Sequence, residues 1–242
     1  DSVTALVFRN LDPLSDTDSK ILRDYAEATG LHIYLQPKGP DSVHLLSPET
    51  SQLTYGLPDY ALEVQFLPTD FTQVNTVINQ TMIAQALSLL QVDKSHEVLE
   101  LFCGLGNFTL PLAQQAKRVT GVEGEASLVQ RACDNARKNG IDNTQYHVAD
   151  LSEDTAQQPW RQRIYDRILL DPPRSGAEEM VKHLGTLGAE RIVYVSCHPG
   201  SLARDAGVLV NELGYTLAAA GVMDMFPHTA HVESMALFIR AK

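Results

Sequence analysis

The sequence is short of cysteine, of long apolar runs and of positive charge, and each shortage closes off a class of protein. Its three cysteines, Cys103, Cys133 and Cys197, are an odd number without paired spacing. That pattern argues against a disulfide framework or a zinc site and for a reducing compartment, so a cytoplasmic location is expected and no metal ligands are assigned. No apolar run approaches the ~18 residues that a membrane-spanning helix needs, and no membrane partner is expected. The opening residues, Asp1 to Phe8, have no basic stretch of the kind that begins a secretory signal. They also lack an initiator Met and fall directly into a strand-like alternation, so the chain reads as a fragment of a longer protein. Nineteen basic against 30 acidic side chains leave a net charge of −11. This balance disfavours broad, non-specific binding to nucleic acid; an RNA or DNA partner would have to be held by a local basic surface or by a part outside this chain. The 242 residues can fill one large domain, or one domain and part of a second.

Residues 1 to about 70 read as mixed strands and one helix. Ser15, Asp16, Thr17 and Asp18 offer N-caps, and Ile21, Leu22, Tyr25 and Ala28 follow at helical spacing up to Gly30. Residues 31–35 and 43–46 look like short strands between Pro and Gly punctuation. From about residue 71 the pattern changes. A helix near 76–90 leads to a strand at 98–102, a helix near 107–116, a strand at 118–122, a helix at 125–138 and strands at 144–148 and 165–170. A helix near 177–187, a strand at 191–196, a helix at 201–212 and two strands near 214–220 and 232–239 complete the chain. Alternation of this kind predicts an α/β fold with a mostly parallel sheet and helices on both faces; the two final strands in succession predict an antiparallel edge.

The first strand of this series runs into Phe102-Cys103-Gly104-Leu105-Gly106-Asn107-Phe108. Gly104 and Gly106 let the backbone turn tightly and approach a ligand. A dinucleotide fingerprint would place a third small residue where Thr109 stands, so a pyrophosphate loop is disfavoured. Glu123 ends the next strand, where an acid can accept both hydroxyls of a ribose. Asp150 follows the third strand, within reach of an adenine amino group, and Asp171 ends the fourth. Acids at the carboxyl ends of successive strands, beside a glycine loop without a phosphate signature, favour a nucleoside cofactor, and S-adenosylmethionine fits best.

Two further residues carry reactive chemistry. Cys197 lies between an apolar strand and Pro199, a residue suited to the first position of a helix. A helix N-terminus lowers a thiol's pKa, which predicts a thiolate-rich Cys197. Glu233 shares strand parity with Met235, Leu237 and Ile239 and is expected among apolar side chains, where a carboxyl can hold or remove a proton near neutrality. His228 and His231 flank it as rivals for the base. Cys103 and Cys133 read as packing residues. Carbon 5 of uracil is a poor nucleophile; adding a thiolate at carbon 6 makes an enolate-like ring whose carbon 5 can take a methyl group. A base must then remove the carbon-5 proton so that the thiolate can leave. One cysteine and one base meet that need.

The stretches Phe71-Thr72-Gln73-Val74-Asn75, Leu101 to Ala113, Gly121-Val122-Glu123, Asp171-Pro172-Pro173-Arg174, Val195-Ser196-Cys197 with Leu202-Ala203-Arg204-Asp205, and Asp224 to Glu233 resemble the RNA (uracil-5-)-methyltransferases, most closely the bacterial 23S ribosomal RNA branch. The resemblance covers 71–242. It implies a Rossmann-like class I S-adenosylmethionine-dependent methyltransferase domain over 71–242, with 1–70 as part of a smaller α+β domain. It implies Cys197 as nucleophile and Glu233 as base, and a cofactor site formed by Gln73, Phe102, Asn107, Glu123, Asp150 and Asp171 with the Gly104–Gly106 loop. Gln73 is assigned by the motif alone. The implied reaction makes 5-methyluridine in 23S rRNA, with a transfer-RNA uridine as alternative target, and the implied molecule is a monomer. Relatives of this type also carry an N-terminal β-barrel RNA-binding domain and a 4Fe-4S cluster on four cysteines; neither is in this sequence. His198 stands where Asn is expected after the nucleophile. Arg174 and Arg204 are candidates for phosphate contact, whereas Arg161, Arg163 and Arg167 read as solvated or helix-pairing. Two rival readings remain: an amino-group methyltransferase, suggested by Asp171-Pro172-Pro173, and a non-catalytic RNA- or cofactor-binding module.

Overall fold

The computed structural model describes residues 3–241, so Asp1 and Ser2 of the opening alternation lie outside the described residues. The chain forms two compact units, one up to Thr72 and one from Gln73. The first contains β1 (Ala5–Arg9), α1 (Asp16–Thr29), β2 (His32–Gln36), β3 (His44–Ser47), β4 (Leu53–Leu57) and β5 (Leu62–Phe66). Strands β1 and β2 are parallel, β3 joins β2 antiparallel, and β4 and β5 pair as a separate hairpin. Helix α1 begins at a capping box: Ser15 Oγ accepts from the Asp18 N–H and Asp18 Oδ2 accepts from the Ser15 N–H. It ends where Gly30 turns left-handed, and buries Ala26 against Ile33, Leu35 and Leu46.

The second unit runs α2 (Thr76–Leu90), β6 (Glu97–Leu101), α3 (Thr109–Gln115), β7 (Arg118–Glu123), α4 (Ala126–Lys138), β8 (Thr144–Val148), β9 (Arg167–Leu170), α5 (Glu178–Val181), β10 (Arg191–Ser196), α6 (Pro199–Asn211), β11 (Tyr215–Met223) and β12 (Glu233–Arg240). Its seven strands lie in the order β11-β12-β10-β9-β6-β7-β8, all parallel except β12, which is antiparallel to both neighbours. Alternate residues of the central strands, Leu99, Leu101, Ile168, Leu170, Ile192 and Tyr194, share one core with residues of α5 and α6. Helix α2 lies against β10 and β12 and buries Met82, Ile83, Ala86, Leu87 and Leu90. Strands covered on both faces explain why β6, β9 and β10 read as near-continuous apolar runs rather than alternating ones. No helix among the described residues is long and apolar enough to cross a membrane.

The helix expected over 177–187 is absent as such. One turn of α5 is followed by a 3-10 turn at Leu184–Leu187, closed by Gly188 in the left-handed region. Met180, Val181, Leu184 and Leu187 are all buried, and their spacing suits two short turns as well as one helix. Gly185, with no side chain to stiffen the backbone, sits between them against Leu213.

Candidate active site

The carboxyl ends of β6, β7, β9 and β10 form one rim of the sheet, and the first half of the site is built from the loop after β6. Phe102 adopts φ 64°, a left-handed conformation costly for a bulky residue, followed by Gly104 at 51° and Gly106 at 93°. The loop is held from three sides. Glu123 Oε2 accepts from the Gly104 N–H (3.1 Å), while its Oε1 accepts from Gly124 N–H (2.7 Å) and Glu125 N–H (3.2 Å). Asn135 of α4 donates to the Leu105 carbonyl (3.2 Å), and Asn79 of α2 exchanges two amide hydrogen bonds with Asn107 (3.0 and 2.9 Å). Asn79 and Asn135 are buried and were not anticipated; the signal for Asn79 is a polar residue on the same helical face as Ile83, Ala86 and Leu90.

Thr109, where a dinucleotide site would have its third small residue, is fully buried and donates from Oγ1 to Glu100 Oε2 (2.5 Å), tying α3 to β6. Burial pushes the Glu100 carboxyl up to about 8; the Thr109 bond opposes this and the charges of Asp171 and Glu123 add to it. Beneath the loop, a Cβ on Gly121 would meet the Tyr146 ring at 2.9 and 3.0 Å and Cys103 Sγ at 3.0 Å. Gly121→Ala should therefore destabilise the fold by about 1–3 kcal/mol in urea unfolding, with a loss of cofactor-loop order visible as faster amide exchange at Gly104.

Asp150 takes no part in the bonds that hold this loop. It is exposed and accepts from the Ser152 N–H (2.9 Å) and hydroxyl (2.6 Å), bonds that hold its carboxylate below the usual range. Gln73, by contrast, presents a buried Oε1 with no hydrogen-bond partner. An orphaned buried acceptor costs on the order of 1–3 kcal/mol, which a ligand donor would recover.

The second half of the site lies one to three strands along the rim from β6. Leu170 pairs with Tyr194 and Ser196 with Ser234, so Asp171, Cys197 and Glu233 fall at neighbouring ends of β9, β10 and β12. Glu233 is 4% exposed, and burial raises its pKa. Its strand parity is not the reason, because Ser234, Ala236 and Phe238 on the other parity are buried too. Burial, then the charge of Glu233, raises Asp171 to about 7. His228 and His231 are exposed, which leaves Glu233 as the buried base candidate.

The thiolate-rich Cys197 expected from the helix N-terminus is corrected by the structure. Burial first, then Glu233 and Asp171, push the thiol up, and only Arg174 among the neighbouring side chains pulls it down. The helix end is already occupied: His198 is the N-cap of α6, its Nδ1 accepting from the Ser201 N–H (3.1 Å), with Pro199 at the first position. The same bond explains how His replaces the expected Asn, since each offers an acceptor at that place.

The arginines also find their places. Arg163 pairs with Glu97 (2.8 Å), and Arg161 stacks over Trp160. Arg167, 6% exposed, donates to the Leu90 carbonyl (2.7 Å), so the solvated reading fails for it. Arg174 is exposed and lies 3.4 Å from His231 Nδ1. Among the described residues no group of three or more His, Cys, Asp and Glu could hold a metal ion, and the three cysteines do not suit a 4Fe-4S cluster.

The strand order, with its antiparallel penultimate strand and a glycine loop after the first central strand, defines a Rossmann-like class I methyltransferase fold. Residues 1–241 match the model of the tRNA (Uracil-5-)-methyltransferase family, and the chain belongs to that family. It is 55% identical over 240 residues to the 23S rRNA (uracil(1939)-C(5))-methyltransferase RlmD of Xanthomonas euvesicatoria pv. vesicatoria, aligning 99% of this chain with 54% of that protein. The RlmD of Hahella chejuensis is 56% identical over 248 residues, aligning all of this chain with 55% of its own length. The chain thus spans about half the length of the curated relatives it matches. Its structure is similar to that of the Pyrococcus abyssi tRNA (uracil-54, C5)-methyltransferase in complex with S-adenosyl-L-homocysteine, with TM-score 0.75 and 25% identity over 97% of this chain and 55% of the other.

Proposed function

We propose that residues 73–242 form the catalytic domain of a methyltransferase acting on carbon 5 of a uridine in 23S rRNA, with S-adenosylmethionine as methyl donor. The observation that carries the reading is the convergence of Cys197, Glu233 and Asp171 on one rim of the sheet, beside the Glu123-held glycine loop. The residues present suit that cofactor: Gln73 offers an unpartnered buried acceptor, and Glu123 and the Gly104–Gly106 loop after Phe102 form a cradle fixed by backbone donors. Asn107 frames that cradle through Asn79. Asp150, exposed at the rim, is the assigned acceptor for an adenine amino group. When bound, the cofactor supplies an electrophilic methyl group.

The chain's own residues do the rest. The Cys197 thiol gives up its proton to solvent as its sulfur bonds to carbon 6 of the uracil, and the electrons of the C5=C6 bond move toward carbon 5. After methyl transfer, the Glu233 carboxylate takes the carbon-5 proton, the C5=C6 bond re-forms, and the S–C6 bond breaks. The base has to leave its stack to reach this rim. RNA affinity, a monomeric state and a 4Fe-4S cluster belong to the whole protein; the cluster has no fitting ligands here, and no step uses it. The substrate assignment follows the 23S rRNA relatives, and the transfer-RNA branch is the other outcome of its test. Incubation with 5-fluorouridine-substituted 23S and transfer RNAs should give a denaturation-resistant adduct with one of them, and Cys197→Ala should give none. An adduct that survives Cys197→Ala, or no adduct with any RNA, would sink the reading.

A further inference from the structure

The Leu202-Ala203-Arg204-Asp205 stretch takes no part in the chemistry above, yet it contains one of the most fully satisfied buried charges in the molecule. Asp205 is 1% exposed. Its Oδ2 accepts from the Ala177 N–H (2.8 Å) and from the Tyr194 hydroxyl (2.6 Å), and its Oδ1 from Arg204 Nε (2.8 Å). Arg204 Nη2 donates to the Ser175 carbonyl (2.9 Å), and Ser201 Oγ to the Arg174 carbonyl (3.2 Å). Helix α6 therefore grips the backbone at residues 174, 175 and 177. Between them Gly176 has φ 82°, and a Cβ there would stand 2.7 Å from Arg204 Nη2, 2.7 Å from Asp205 Oδ2 and 2.9 Å from Ser201 Cβ. The turn lies this close to the helix only because that residue is glycine. These bonds also take Arg204 out of the set of free phosphate-binding cations.

Both gripped parts lead directly into the site. Helix α6 starts two residues after Cys197, and the turn starts at Asp171 and carries Arg174. Replacing a buried, paired carboxylate by apolar groups is often neutral for stability, so stability alone is a weak account of Asp205. We propose that Arg204 and Asp205 are positioning residues, which fix the 174–177 backbone on α6 and so hold Arg174 at the strand ends where Cys197 lies. The groups that face this thiol are Glu233 from β12, and Asp171 and Arg174 from the turn after β9; His198 is committed to the helix cap. Of these side chains Arg174 alone favours the thiolate, adding to a backbone hydrogen bond at Cys197 that acts in the same direction, so displacing Arg174 lowers the fraction of thiolate at a given pH. The inference goes beyond the methyl-transfer reading, because it concerns the thiol and needs no substrate.

Its test is the rate of Cys197 alkylation by iodoacetamide between pH 6 and 10, resolved from Cys103 and Cys133 by peptide mass spectrometry. Arg204→Gln should move the thiol's titration to higher pH and slow alkylation at pH 8 by roughly 3–10-fold. Arg174→Gln should do the same, and adding Arg204→Gln to it should change nothing further. Glu178→Gln removes only the outer ion pair to Arg204 (3.3 Å) and should leave the profile unchanged. Ser201→Ala gives a second, milder reading in the same direction, and the thermal midpoint of each variant separates a shifted thiol from a loosened fold. An unchanged profile in Arg204→Gln, or slowing that adds to that of Arg174→Gln, would overturn the proposal.

Discussion

Glu233→Gln should convert a catalyst that releases its RNA into one that keeps it. Labelled RNA with ordinary uridine should stay attached to the variant through denaturing electrophoresis, while release of methylated product slows by about 10²–10⁴-fold, the usual worth of a positioned general base. The reason lies in the order of events. Cys197 attacks before any base is needed at carbon 5, and the S–C6 bond cannot break until the carbon-5 proton leaves. Gln fills the same buried space at the head of β12 and cannot accept that proton. Asp224, His228 and His231, all exposed, are the other candidate bases on the loop between β11 and β12. Release at the parental rate from Glu233→Gln would transfer the role to one of them, and loss of the adduct would show that Glu233 is needed at the first step instead.

Such a role for Glu233 could be read from its motif but not from strand parity. Parity separates inside from outside only where one face of a sheet meets water, and β12 is covered on both. The same covering made the central parallel strands legible as apolar runs, and the strands expected at 118–122, 144–148 and 191–196 correspond to Arg118–Glu123, Thr144–Val148 and Arg191–Ser196. Local spacing failed at 177–187, because buried residues at i, i+1, i+4 and i+7 suit a broken helix as well as a whole one. It failed differently at Asn79 and Asp205, which bond to Asn107 and to the Ala177 N–H, each 28 residues away in the chain. Contacts of that range leave no periodic trace. Arg204 was legible as a candidate for phosphate contact, whereas its bond to the Ser175 carbonyl, 29 residues away, was not legible.

The Cys197 thiol shows how far a local rule can mislead at a reactive centre. A cysteine ahead of a helix suggests a lowered pKa, and the expectation counted only the helix. The fold adds burial and two carboxyls from strands distant in sequence, and their sum has the opposite sign. As it stands the rim is a cluster of three acidic groups, Asp171, Glu233 and Cys197, each pushed toward its protonated form. A positive charge brought among them favours their ionised forms.

That property gives the second large prediction, a pH-dependent affinity for S-adenosylmethionine. A sulfonium cation among these groups favours their ionised forms, so binding should draw off the proton that Asp171 holds below about 7. Affinity measured by calorimetry should rise about tenfold per pH unit between roughly pH 5.5 and 7 and level off above it, with up to one proton released to buffer on the rising limb. Asp171→Asn should flatten this dependence and weaken binding by about 10–100-fold at pH 8, the worth of one partly buried charge pair. The same carboxyl acts on stability with its own sign. A folded pKa raised above the unfolded carboxylate range costs nothing below about pH 4, and the cost grows as pH rises to about 7 and stays beyond it. Asp171→Asn should therefore be more stable than the parent at pH 8, by on the order of 2 kcal/mol, and no more stable at pH 4. A parental affinity that stays level from pH 5.5 to 8, or a variant that gains nothing in stability as pH rises, would show that Asp171 is ionised before the ligand arrives.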